Sequence, residues 1–89
     1  MIDKKFINIP DRENIVKIED AAAFGKAVRE NRKRQKITQS QLAAIANTGL
    51  RFISDLENGK PSVQLGKALK VAYFLGISPE IPDKTRLEL

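Results

Sequence analysis

No cysteine and no histidine occur among the 89 residues. Their absence removes disulfides, thiol nucleophiles and the usual zinc ligand sets. It also fits a reducing, cytoplasmic setting. Long apolar runs are missing as well: the longest, Leu42 to Ala46 and Val71 to Leu75, are five residues each. A membrane span needs roughly 20. The start, MIDKKFINIPDREN, has no signal-peptide apolar stretch. Phosphate-binding glycine loops and converging carboxylates are also lacking, and Asp55 and Glu57, two apart on a helix, point in different directions. An enzyme is therefore a poor reading, and no cofactor or metal is expected.

What remains is ordinary globular composition, 42% hydrophobic and 30% charged, enough for one small domain with two tails. The net charge of +5 is unevenly spread. Between Asp20 and Gly76 ten basic residues (Lys26, Arg29, Arg32, Lys33, Arg34, Lys36, Arg51, Lys60, Lys67, Lys70) face four acids, a net +6. The first nineteen residues balance, and the last thirteen carry −1. A basic face of this kind attracts polyanions. Charge alone reads equally well as a solvated helix face.

Punctuation and period divide the chain into an N-terminal extension (1–19), a helical domain (20–77) and a C-terminal tail (78–89). The extension is β-branched and broken by Pro10 and Asp11, with a short strand expected near Ile15 to Ile18. Asp20 is a suitable N-cap for a helix reaching about Lys36, with Phe24, Ala27, Val28 and Asn31 on one face. Thr38 and Gln41 form a capping box for a helix to about Ala46, burying Leu42, Ala43 and one or both of Ile45 and Ala46. Asn47-Thr48-Gly49 makes the turn. The next helix, Leu50 to Asn58, buries Ile53 and Leu56 and stops at Gly59. In the last helix Leu65, Ala68, Leu69, Ala72 and Leu75 give the core face, and Gly76 stops it. The remainder, rich in proline and charge, is expected to be extended.

Two short helices joined by so tight a turn cross steeply and leave the second free to project. A helix presented that way fits a DNA major groove, so Thr38 to Gly59 reads as a helix-turn-helix. The groove-facing set is Leu50, Arg51, Ser54 and Asp55, with Gly49 at the helix start also expected to contact DNA. Arg51 is the strongest base-reading candidate, because guanidinium binds guanine O6 and N7 together; the plainer alternative is a solvated or phosphate-bound arginine. Leu50 offers an apolar contact. Asp55 either accepts from cytosine N4 or orients Arg51 four residues earlier, the favoured reading. Phe52 is expected to pack on the turn. Asn58, Gly59 and Lys60 are expected at the DNA backbone, setting register without reading sequence. Glu57, near a helix C-terminus, needs a cationic partner. One short helix reads few base pairs, which argues for a dimer. Val71, Tyr73, Phe74 and Ile77 form a second apolar set, expected either at a two-fold interface or under a tail.

Thr38-Gln39-Ser40-Gln41-Leu42-Ala43 followed by Ile53-Ser54-Asp55-Leu56-Glu57-Asn58-Gly59-Lys60-Pro61 resembles the XRE/Cro-like helix-turn-helix regulators. RFISDLENGKPSVQLGKAL with VAYFLGI is most similar to the HipB-type antitoxin repressors. The resemblance implies an all-α, compact lambda-repressor-like bundle of four to five helices with extended N- and C-terminal tails. It implies a sequence-specific repressor of a double-stranded DNA operator, acting as a homodimer. A HipA-like kinase toxin is the implied partner; a stand-alone phage-type repressor or a protein-interaction module without DNA binding are the alternatives. It also implies a phosphate contact at Gln39, a pairing of Glu57 with Arg32, and a C-terminal strand crossing the dimer. Pro79 and Pro82 leave only Thr85 to Leu89 for that strand.

Overall fold

The computed structural model describes residues 14–82. In chain order the elements are β1 (Ile15–Lys17), α1 (Ala21–Arg34), α2 (Gln39–Ala46), α3 (Leu50–Glu57), α4 (Leu65–Leu75) and β2 (Ser78–Glu80). The four helices form the expected all-α bundle, and a two-stranded parallel ribbon closes one side of it.

Three of the four helices, α1, α2 and α4, begin at a side-chain cap, from Asp20, Thr38 and Gln64. Asp20 accepts from the Ala23 amide at 2.7 Å. The Thr38 hydroxyl accepts from the Gln41 amide at 3.0 Å, and the Gln41 side chain accepts in return from the Thr38 amide at 2.8 Å. Such reciprocal caps satisfy amides that the first helical turn leaves without acceptors. Helix α1 ends two residues sooner than expected. Lys36 takes a left-handed φ of 60°, and the Ile37 amide reaches back to Arg32 O at 3.3 Å. That closure usually falls to glycine. Gly59, at φ 77°, closes α3 in the same manner, its neighbour Lys60 donating to Asp55 O at 3.0 Å.

Val28, Leu42, Ile53, Leu56, Val71 and Ile77 are the largest fully buried side chains, so every helix contributes to one core. Phe24, Ala27 and Asn31 lie on the buried face of α1 as expected, and Phe52 packs against the core from its edge. Of the alternatives at the end of α2, Ala46 is buried and Ile45 is half exposed. Close packing of α1 on α3 depends on Gly25: a Cβ there would collide with Leu56 O and stand 2.9 Å from Glu57 O.

Helix α4 corrects two expectations. Leu65 and Leu69 were placed on its core face but are 65% and 44% exposed. Val71 and Ile77, expected either at a two-fold interface or under a tail, are fully buried in the core of the protomer. The sequence carries two overlapping apolar stripes, and packing selects Ala68, Val71, Ala72 and Leu75.

Ser78–Glu80 forms a strand across the very proline expected to interrupt one. Its register pairs Ile15 with Ser78, Val16 with Pro79 and Lys17 with Glu80. Bonding positions alternate along a parallel strand, and Glu80 O accepts from the Ile18 amide at 2.8 Å. Pro79, between bonding positions, loses nothing by lacking an N–H. The expected strand at Thr85 to Leu89 and the β-branched stretch before Asn14 lie outside the described residues.

A polar clasp holds the ribbon to the bundle. Asn14 Nδ2 lies 2.8 Å from Gly76 O and 3.2 Å from Asn31 Oδ1. Asn31, buried, donates to Ala27 O at 2.8 Å and accepts from Arg34 at 3.0 Å. Gln35 donates to Leu75 O at 2.7 Å. The ends of α1 and α4 are thereby tied together beside β1.

Candidate nucleic-acid interface

Three helices are joined at Glu57, the last residue of α3. Its carboxylate accepts from Arg32 Nε at 2.6 Å and Nη2 at 3.0 Å, a two-pronged pair with α1. Gln39 Nε2 on α2 donates to the same carboxylate at 3.0 Å. Arg32 Nη1 also donates to Ile37 O at 2.9 Å. Burial would push the Glu57 carboxyl up, but the Arg32 and Gln39 hydrogen bonds and the Arg32 and Arg29 charges outweigh it. The carboxyl is held below its ordinary range. Its hydrogen bond with Arg32 raises the guanidinium in turn, against burial. Charged, hydrogen-bonded pairs of this geometry fix the relative placement of the elements they join.

With α2 and α3 so held, α3 presents one face outward. Ile53, Leu56 and Glu57 point inward, Leu50 is half exposed, and the Arg51 side chain is 89% exposed. Ser54 and Asp55 are half-buried on the flank between. Asp55 Oδ2 lies 3.9 Å from Arg51 Nε and 3.6 Å from Lys60 Nζ, placed between the two cations. Exposed pairs at these distances are worth about 0–1 kcal/mol, so they bias the orientation of Arg51 without fixing it. Gly49 caps α3 with no side chain and has open space on its Cβ side, which leaves the helix start accessible. Asn58 and Lys60 are exposed in the loop that follows α3.

A second concavity adjoins the first turn of α3. It is an open cleft lined by Arg32, Lys33, Lys36, Ile37, Thr38, Gln39, Ser40 and Leu50. The N-terminus of α2 points into this region, and the first amides of a helix have no acceptor one turn earlier. Amides, helix dipole and lysines together favour an anion there. Gln39 sits in this cleft, although its side-chain amide is turned to Glu57. Lys33 and Lys36 stand out in the sequence only as members of the basic set between Asp20 and Gly76, and Ser40 only as part of the Thr38–Ala43 motif. Tyr73 and Phe74 of α4, ring centroids 5.5 Å apart, keep 40% and 38% of their surface and lie away from the core. Among the described residues no group of histidine, cysteine or acidic side chains could hold a metal ion, and no helix is long and apolar enough to cross a membrane.

Comparison with known proteins agrees with this geometry. The chain is 49% identical over 65 residues to an uncharacterized HTH-type transcriptional regulator, y4mF, of Sinorhizobium fredii (strain NBRC 101917 / NGR234), covering 73% of this chain and 86% of that protein. Among solved structures, the protein of the HipB-O4 20mer complex superposes with a TM-score of 0.66 at 26% identity, over 74% of this chain and 93% of the other. A point variant of HipB in complex with an O2 20mer has the same TM-score at 24% identity, covering 74% and 92%, and shares the fold. Residues 28–81 match the Helix-turn-helix family model. The chain belongs to the XRE-like helix-turn-helix family.

Proposed function

We propose that this protein is a sequence-specific DNA-binding transcriptional repressor that acts as a homodimer on a double-stranded operator. The observation that carries the reading is a single arrangement. An exposed recognition helix bearing Arg51 is locked by the Arg32–Glu57–Gln39 junction between a cationic cleft on one side and Lys60 on the other. In this reading Leu50, Arg51, Ser54 and Asp55 face the bases, while Gln39, Gly49, Asn58 and Lys60 meet the backbone. The partner surface is the exposed apolar set of α4, the stripe Leu65, Leu69 and Tyr73 with Phe74 on its flank.

The finer reading is an autoregulating antitoxin of a HipA-like kinase toxin. It is supported by the likeness to HipB, which is held on a 20mer in its solved complex. The test is a salt-titrated binding assay on the protein's own upstream DNA and on a scrambled duplex. Wild type should prefer the upstream DNA, with affinity falling steeply as salt rises. Arg51→Ala should erase about 1–3 kcal/mol of that preference, whereas Lys60→Ala should weaken both duplexes alike. Equal, salt-insensitive binding in all three proteins would defeat the assignment.

A further inference from the structure

The recognition face does not use all of the cations on its side of the molecule. Lys26, Arg29 and Lys33 recur at helical spacing along α1, and Lys36 continues the row past the helix end. All four are exposed. No carboxylate of the described residues lies within ion-pair distance of any of them; the pairs there are Arg32–Glu57, Arg51–Asp55 and Lys60–Asp55. Self-neutralisation among the described residues therefore does not explain the row.

Its position is set at both ends. Lys33 and Lys36 line the cleft at the start of α2. At the other end Ala22, one turn before Lys26, packs on Gly59, where a Cβ would stand 2.9 Å from Ala22 Cα. Gly59 precedes Lys60 in the loop after α3. The row thus runs along the shoulder of α1 from that loop to the cleft. Beside its first member, Lys26, lies the close contact of Gly25 with the C-terminal carbonyls of α3. The eight helical steps from Lys26 to the end of α1 at Arg34 span about 12 Å, and Lys36 carries the row a little further, the reach of a few successive phosphates of one DNA strand.

We propose that Lys26, Arg29, Lys33 and Lys36 form a backbone track on α1. The track binds successive phosphates of one DNA strand and extends the protein's footprint beyond the recognition helix. This rests on the DNA-binding reading above. Lys26 lies outside the matched family segment, 28–81. Its contribution is electrostatic and blind to sequence: it adds affinity and slows escape while leaving base preference to α3.

The salt dependence of binding counts the contacts. For Lys26→Gln/Arg29→Gln, which removes two contacts from each protomer of the proposed dimer, the slope of log affinity against log salt should become shallower by about 3.6, and affinity at 0.15 M salt should fall about 1,000-fold. The loss should be the same on the upstream and the scrambled duplex. Lys26→Gln alone should give about half the slope change, and Lys26→Arg/Arg29→Lys should behave as wild type. Thermal melting followed by circular dichroism confirms that each variant folds. If wild type shows the salt-dependent preference and the double variant keeps its slope, the track is refuted and the recognition helix stands. A row that instead serves an acidic protein would give that same unchanged slope. If wild type itself binds neither duplex, the underlying DNA reading fails with it.

Discussion

Two residues show how local chemistry is set against the needs of the surface. Lys36 holds a left-handed backbone at φ 60°, which costs a side-chain-bearing residue about 1–2 kcal/mol, while glycine loses about 0.5–1 kcal/mol through its freer unfolded chain. The balance favours glycine, so Lys36→Gly should stabilise the fold by about 0.5–1 kcal/mol in urea denaturation and at the same time weaken DNA binding. Higher stability with unchanged binding would mean that the lysine has no part in the interface. Glu57 carries the pH dependence. Its folded carboxyl titrates below its ordinary value near 4.5, so the stability it contributes is complete above that value. It is lost as pH falls through the lower, folded one. The urea midpoint should therefore fall in acid partly on its account, and Glu57→Gln should flatten that fall while lowering stability at pH 7. Such residues were partly legible in the sequence: a carboxylate at a helix C-terminus demanded a cation, and the family resemblance named Arg32. Gln39 as the third member was hidden, because nothing in a helix-start glutamine tells phosphate from carboxylate.

At the scale of elements, the helices were legible because their caps are local. Asp20, Thr38 with Gln41, and Gly59 act within a few residues, and sequence spacing alone places them. Which stripe of α4 faces inward was not legible, because Leu65–Leu69–Ala72 and Ala68–Val71–Leu75 are both good helical faces and only the neighbouring helices choose between them. The strand at Pro79 was missed for a related reason: proline is unfavourable in a strand on average, but harmless at a position that makes no ladder bond. The approach of α1 to α3 was equally silent, since Gly25 inside a helix reads as a weak point. Gly25→Ala, normally a gain in helix propensity of about 1 kcal/mol, should here cost about 1–3 kcal/mol because rigid backbone carbonyls of α3 occupy the space. A rise in melting temperature for this variant would show that the two helices can separate without penalty.

For the whole molecule, the decisive question is whether one protomer suffices. Leu65, Leu69 and Tyr73 recur every four residues along one side of α4, with Phe74 on the flank beyond Tyr73, and the four retain between 38% and 65% of their surface. Scattered apolar residues are ordinary on a small protein, whereas a row along one helix is the surface that the proposed dimer would cover. Leu69→Glu/Tyr73→Glu should reduce the sedimenting mass to that of a monomer and weaken operator binding by more than about tenfold, with the helical content preserved. A dimer that persists at wild-type concentration would place the two-fold contact elsewhere. The same face shows the limit of reading from sequence: a second apolar set on α4 was visible, yet half of its expected members, Val71 and Ile77, belong to the core.

The ribbon has a kinetic consequence. Ile15 faces Ser78, so almost the entire described chain must be looped out before the two strands meet. Closing so long a loop carries an entropic cost that only an already collapsed bundle can offset. The four helices, linked by short turns, are then free to assemble first, and the ribbon latches late. On unfolding the order reverses: the strand amides, Ile18 among them, are the first to open and the first to exchange their hydrogens with solvent. The two ends of the domain are thus its earliest point of release, while the recognition helix, held at Glu57 from two sides, is among the last parts to let go.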